Sequence, residues 1–374
     1  MLIEVYKALQ GLLGVQKNRL NIIEKKGWKV ANDYLTQTVH KNNFMCYYYN
    51  NNIRRGEFMP GFITHYTFGK AALKKLPYNY VKDSIKNNIE VYNLGLQGPD
   101  IFFYFAGYPL ISKKNIGSML HTKNIKKFFK ELARTIIHCK NDDEKEIMAA
   151  YTAGFLGHYS LDKTCHPYVY YKSGYKDIRE KNNMKYHEKH VCLESDIDNV
   201  IAKKRLKKTF SDINYRNLVK LDKEQLMAVS ELLNRACNRC YKGIRFNRFI
   251  SKMVIKNFGV LIGFFNDRKG RRFKIINKIE RLFMGCGFVS PLINGDFYNC
   301  HFNDPLNLKK NLWFNPWDDE RNKKYLSFVE LWNIATGEFG EYIEILNEAI
   351  RNNDVDIFGD YIENCSYLSG LKVD

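Results

Sequence analysis

The stretch Glu146-Ile-Met-Ala-Ala-Tyr-Thr-Ala-Gly-Phe-Leu-Gly-His158-Tyr-Ser-Leu-Asp162 is mostly apolar and ends on a histidine and an aspartate four positions apart. On a helix, positions i and i+4 lie one above the other on one face, so this imidazole and this carboxylate can reach one cation. Asp142, Asp143 and Glu144 stand before the stretch, as helix N-termini favour, and Pro167 is expected to close the helix. Ionisable groups on so apolar a helix are expected to be buried, and buried ionisable groups need partners or metals. Cys165-His166-Pro167 follows at once, and His190-Val-Cys-Leu-Glu194 repeats the His–carboxylate spacing. A single pair of this kind is ordinarily a hydrogen bond inside a helical core. Two so close in the chain, with His166 between them, have the look of a multi-zinc site. Histidine, aspartate and glutamate are ordinary zinc ligands, and hydrolytic zinc sites leave one position open for water.

Further segments fall in a fixed order around this core. They are Met59-Pro-Gly-Phe-Ile-Thr-His65-Tyr-Thr-Phe-Gly, Gly95-Leu-Gln-Gly-Pro-Asp100-Ile-Phe-Phe-Tyr and Gly117-Ser-Met-Leu-His121, followed by the two His–carboxylate segments. As an ordered set, from residue 59 to about residue 200, they resemble the zinc-dependent phospholipase C family. This is the bacterial phosphatidylcholine-hydrolysing type, whose catalytic module is shared with glycosylphosphatidylinositol-specific phospholipase D. Asn307-Leu-Lys-Lys-Asn-Leu-Trp-Phe-Asn-Pro316 is similar to a late family element, with less specificity. The resemblance implies a catalytic domain that uses two to three zinc ions on a phosphodiester. Asp100, His121, His158 and Asp162 would hold the first zinc, and His166, His190 and Glu194 the second. His65 would help hold a third, with Asp162 bridging back to the first. Asp100 is the implied general base, doubling as ligand, with Glu194 as the second candidate. In the family, the α-amino group of the mature first residue completes the third position, whereas His65 lies far from residue 1 here.

Composition bounds the rest. The chain has 374 residues, 45% of them apolar, enough for a substantial core. A formal net charge of +19 reads either as a footprint for phosphate-bearing partners or as compositional drift in a chain rich in Lys, Asn, Ile and Tyr. Charges at Glu4, Lys7, Lys17 and Arg19 interrupt any apolar core of a secretory signal. No stretch approaches the ~20 apolar residues of a membrane span. Nine scattered cysteines suit a reducing compartment, so a cytoplasmic location is expected. Cys237-Asn-Arg-Cys240 reads as two helix cysteines, because no second pair stands at zinc-ribbon distance.

Apolar residues at three- and four-residue spacing predict helices over 80–92, 142–164, 223–241 and 328–352. Gly and Pro punctuation predicts loops at 95–99, 107–109, 167–174, 285–295 and 305–316. The expectation is an all-α fold, with one multi-helix domain over 59–374. Residues 1–58 are expected to be an N-terminal extension outside the functional protein, with a real helical extension, on the helical character of Leu2–Leu13 and Leu20–Val30, as the competing reading. The resemblance starts abruptly at Met59, and 41–58 read as low-complexity sequence. A start at Met59 would, once Met59 is removed, expose the amine of Pro60 as the missing third-site ligand. The basic run Arg268-Lys-Gly-Arg-Arg-Phe-Lys274, with Lys278 and Arg281, reads either as a solvated turn or as a contact for headgroup phosphates. Trp313-Phe314-Asn315-Pro316-Trp317 reads as packing anchors, with a pocket wall or lipid contact as the alternative. His187-Glu188-x-His190 lacks the HExxH spacing, which disfavours a zincin-type protease. His40, His138 and His301 have no adjacent carboxylate and stay unassigned. Three function classes remain: a phospholipase C-like phosphodiesterase with peripheral membrane contact, an S1/P1-type nuclease on single-stranded nucleic acid, and a non-catalytic metal-stabilised binding module.

Overall fold

The computed structural model describes residues 61–105, 112, 115–175 and 183–373. The expectations for residues 1–58, for a start at Met59 and for the Pro60 amine fall outside the described residues. Thirteen α-helices follow one another along the described chain. They are α1 (Phe62–Leu73), α2 (Tyr80–Asn87), α3 (Ile89–Gly95), α4 (Ile116–Thr122), α5 (Ile125–Ile137), α6 (Asp142–Lys172) and α7 (Asn183–Ile201). After them come α8 (Tyr215–Leu218), α9 (Lys223–Cys240), α10 (Arg248–Phe265), α11 (Arg271–Met284), α12 (Phe328–Asn352) and α13 (Val355–Tyr361). No strand forms among the described residues, which carry only three isolated bridges, so the class is all-α as expected.

The boundaries have local causes. The Asn141 side chain accepts from the Glu144 N–H at the head of α6, with three acidic residues in its first turn. Asp222 with Gln225 and Ser327 with Glu330 form capping boxes on α9 and α12. The expected helix over 80–92 is two helices instead. Asn88 leaves the helical backbone region (φ −133°, ψ 54°), and its side-chain amide donates to the Ser84 carbonyl.

A second expectation also fails. Pro167 does not close α6, which runs through it to Lys172. Proline cannot donate to the carbonyl four residues back, here Lys163. The C-terminal turn crosses that freed carbonyl closely: a Cβ on Gly370 would lie 2.4 Å from the Lys163 oxygen. The site where the helix loses a hydrogen bond is therefore covered by protein, and the helix continues for five residues past the proline.

Helix α6 is the axis of the fold, and α1, α2, α3, α5, α9 and α12 pack around it. Its contact with α3 is backbone on backbone. A Cβ on Gly154 would stand 2.3 Å from the Tyr92 carbonyl oxygen, and one on Gly95 would stand 2.3 Å from that of Tyr151. Two glycines at this crossing bring the turn after α3 directly onto the polar end of α6. No described helix is long and apolar enough to cross a membrane.

Candidate metal centre

All eight residues expected as ligands are buried and converge on one place. Helix α6 presents His158, Asp162 and His166 at four-residue intervals along one face. Helix α7 presents His190 and Glu194, α1 carries His65, and α4 ends near His121. Asp100 sits in a 3-10 turn, Gly98–Phe102, directly after α3. Gly98 adopts φ +50°, and a Cβ there would lie 2.4 Å from the His158 ring, so only glycine lets this turn lie against the imidazole.

Asp162 is the hub. Its Oδ2 is 2.8 Å from His158 Nε2 and 4.0 Å from His121 Nε2. Its Oδ1 is 3.2 Å from His65 Nε2 and 3.5 Å from His166 Nε2. Asp100 Oδ1 stands 3.2 Å from His121 Nε2 and 4.0 Å from His158 Nε2. Glu194 Oε1 stands 3.3 Å from His190 Nε2 and 3.6 Å from His166 Nε2. Two trios have all three ligand atoms within 4.8 Å of one another: His121, His158, Asp162 and His65, Asp100, His158. The two groups share His158, and the His65 and His158 rings stack at 4.1 Å, so a position beside His65 adjoins the first. The grouping at Glu194 is looser, with His166 and His190 ring centres 6.3 Å apart.

The far sides of these rings decide what the near sides can do. His121 Nδ1 lies 2.8 Å from the Gly117 carbonyl, His158 Nδ1 3.1 Å from that of Leu96, and His166 Nδ1 2.9 Å from that of Tyr367. His190 Nδ1 meets the Tyr186 hydroxyl at 3.0 Å. A carbonyl can only accept, so in the first three rings Nδ1 carries the proton. In the neutral ring, Nε2 then turns a bare lone pair toward carboxylate oxygens that also bear only lone pairs. The Nε2 atoms of His121, His158 and His190, with Asp100 Oδ1 and Asp162 Oδ2, have no aligned hydrogen bond. A shared cation reconciles such facing acceptors, and the carbonyl behind each ring is the usual second partner of a ligating histidine. Two ligand atoms about 2.0 Å from one tetrahedral ion sit about 3.3 Å apart, close to the spacings found here. The residues present fit zinc.

Without an ion, the site's carboxylates and imidazoles set one another's charge. Burial alone would raise Asp162, but His158, His166 and His65 hold it well below the usual carboxylate range. His65 is raised against burial by Asp162, and His121 by its contact with Asp100. Burial lowers His190 to about 3 and pushes Glu194 up to about 7, the latter against a hydrogen bond with His166.

Two supporting residues, Asp198 and Tyr367, escaped sequence reasoning. Asp198 lies one turn beyond Glu194 on α7, and its carboxylate accepts from the Ile63 N–H (3.1 Å), the Thr64 N–H (2.8 Å) and the Thr64 hydroxyl (2.5 Å). It thereby holds the first turn of α1 beside His65. The signal was present, since His190, Glu194 and Asp198 repeat at four. Tyr367 supplies its carbonyl to His166, donates its N–H to the His121 carbonyl and packs its ring on His121 and His158. Trp317 packs on Tyr170, which in turn lies 4.6 Å from the His190 ring. Trp313 is buried against Tyr168 and donates to the Leu326 carbonyl, the packing role expected for it. Among the unassigned histidines, His138 sits at the end of α5 with Nδ1 at the Arg134 carbonyl, and His40 lies outside the described residues. His301, without a carboxylate nearby in sequence, meets Asp196 in space (3.4 Å) and is raised to about 10 by it and by Cys192. Cys237 and Cys240 are buried, unpaired helix cysteines whose thiols burial pushes up.

Comparison with known proteins returns one family. Residues 64–245 match the family model described as zinc dependent phospholipase C, a span that contains all eight converging residues and stops short of 307–316. No curated protein and no solved structure matches the chain.

Proposed function

The segment 64–245 belongs to the zinc dependent phospholipase C family, and on that premise we propose that the chain is a zinc-dependent phosphodiester hydrolase acting on a phospholipid or a related diester. The observation that carries this reading is the set of buried Nε2 and carboxylate atoms facing one another without aligned hydrogen bonds. In this reading Asp100, His121, His158 and Asp162 hold one zinc and His166, His190 and Glu194 a second. His65 with Asp162 contributes to a third. Bound there, zinc supplies a Lewis acid for a phosphoryl oxygen and makes water ionise near neutral pH. The chain's own groups orient and move the proton. The carbonyls of Gly117, Leu96 and Tyr367 keep three rings from turning. As the water oxygen bonds to phosphorus and the bond to the leaving alcohol breaks, Asp100 takes the proton of the attacking water and passes it to the departing oxygen. Glu194 is the second candidate for that role.

The test is a comparison of zinc-loaded wild type and Asp100→Asn on phosphatidylcholine vesicles, single-stranded DNA and a soluble chromogenic phosphodiester. Wild type should cleave the diester and the lipid. A metal-replete Asp100→Asn variant should lose on the order of a hundredfold or more in kcat. Full activity in that variant would remove Asp100 as base. The net charge of +19 favours a nuclease as the second reading, and faster cleavage of DNA than of lipid would promote it.

A further inference from the structure

Helix α11 lies outside the family segment and is built unlike its neighbours. Of its fourteen residues only Ile276 and Glu280 are buried. Glu280 is its sole acidic residue and is turned inward, accepting from the backbone N–H groups of Phe288, Val289 and Ser290. Every exposed charge on the helix is therefore a cation. Among the described residues, Arg271, Lys274 and Lys278 have no carboxylate partner, and Arg281 pairs with Glu188 of α7 at 3.2 Å. The apolar side chains are exposed as well: Leu282 is 75% exposed, Ile279 42% and Phe283 42%. Projected at about 100° per residue, Ile275, Ile279, Leu282 and Phe283 fall in one arc of about 100°, and Arg271, Lys274, Lys278 and Arg281 in an adjoining arc of about 80°. The fifth cation, Arg272, projects within the apolar arc and turns back to donate to the Phe264 carbonyl.

Exposed apolar and cationic stripes side by side are what a helix lying in a lipid interface needs. The apolar side chains enter the acyl boundary while the cations meet anionic headgroups. A nucleic acid would engage the cations and leave Leu282 and Ile279 in water. We propose that α11 docks the protein on membranes containing anionic phospholipid. The choice of lipid as partner rests on the phospholipid reading above, while the binding itself does not require catalysis. The position of the helix gives docking a purpose. Arg281 ties it to Glu188, two residues before His190, and Phe288, held by Glu280 through its N–H, packs tilted against His187 with ring centres 5.3 Å apart. The lipid-facing helix is thus joined directly to a helix that carries candidate ligands.

The test is co-sedimentation of the full zinc-loaded chain with vesicles of phosphatidylserine mixed into phosphatidylcholine, and with pure phosphatidylcholine. Wild type should bind the anionic vesicles, more weakly at high salt. Two doubly substituted variants are compared: Ile279→Ser with Leu282→Ser, and Lys274→Glu with Lys278→Glu. Each should lose about tenfold or more of the vesicle partition, while zinc content and hydrolysis of the soluble diester stay at wild-type level. Equal wild-type binding to neutral vesicles, undiminished binding by either variant, or retention on single-stranded DNA without vesicle partition would overturn the proposal. Vesicle binding without soluble hydrolysis would leave docking standing and remove the catalytic reading. Hydrolysis without anionic-vesicle binding would do the reverse.

Discussion

At the scale of single residues, the site is governed by which atoms are left without protons. Metal stripping should expose this through pH. Glu194 is raised from 4.5 to about 7 by burial, so the folded state holds its proton more tightly than the unfolded chain. Its contribution to stability is complete below pH 4.5 and is lost as pH rises through about 7. Chelator-treated protein should therefore unfold at lower temperature as pH climbs across that window, and Glu194→Gln should flatten the slope. Zinc-loaded protein should show the opposite slope, because ligation needs the carboxylate. Melting curves of both forms between these limits decide the matter, and parallel slopes would contradict it. Asp198 makes a second case. Its replacement by Asn turns one of the two acceptor oxygens facing α1 into a donor, at a cost of about 1–2 kcal/mol. It should also loosen His65, so zinc stoichiometry should fall although no ligand has changed. Unaltered zinc content and stability in Asp198→Asn would show that the cap does not position His65. Of the candidate ligands, His158, Asp162, His166, His190 and Glu194 were legible because they repeat at four on helices, whereas His65, Asp100 and His121 stood out only through the family resemblance. The carbonyls of Leu96, Gly117 and Tyr367 were not legible, since a backbone acceptor carries no residue-type signal.

At the scale of elements, the amphipathic helices were legible where a cap and an apolar stripe coincide, as in Phe328–Asn352, whose limits match the expectation. They were misread where a long-range contact overrode a local rule. Pro167 is a sound stop signal by itself, yet α6 runs through it to Lys172 beneath the C-terminal turn, a tertiary arrangement with no local signal. Asn88 shows the reverse, a break that apolar spacing alone does not reveal. The α3–α6 crossing was equally hidden, because a glycine in a helix pattern does not say what it touches. Gly154→Ala should force the two backbones apart at a cost of about 1–3 kcal/mol. It should also lengthen the contact between His158 and the Leu96 carbonyl. The check is thermal stability together with zinc affinity, both of which should drop. A variant with wild-type affinity would show that the crossing does not set the His158 ring.

At the scale of the whole molecule, the family segment holds every candidate ligand but not their whole support. Tyr367 comes from the last turn of the described chain and reaches back to both His121 and His166. A chain ending at Ile362 should lose about 2 kcal/mol or more, from an orphaned ring nitrogen and a missing buried tyrosine. It should bind zinc less tightly despite an intact 64–245. Calorimetric zinc titration of the shortened chain provides the measurement, and unchanged affinity would show that the C-terminal turn is dispensable. Asp162 carries a consequence of a different kind. Its two oxygens face different histidines, so the ions proposed above on either side of it would not be held independently. Filling one position changes the carboxylate that the other must use, and by thermodynamic reciprocity the second ion then alters the grip on the first by the same factor. Loading and stripping should accordingly be cooperative or anticooperative rather than a sum of separate isotherms, with His65→Ala changing the affinity of positions whose own ligands are untouched.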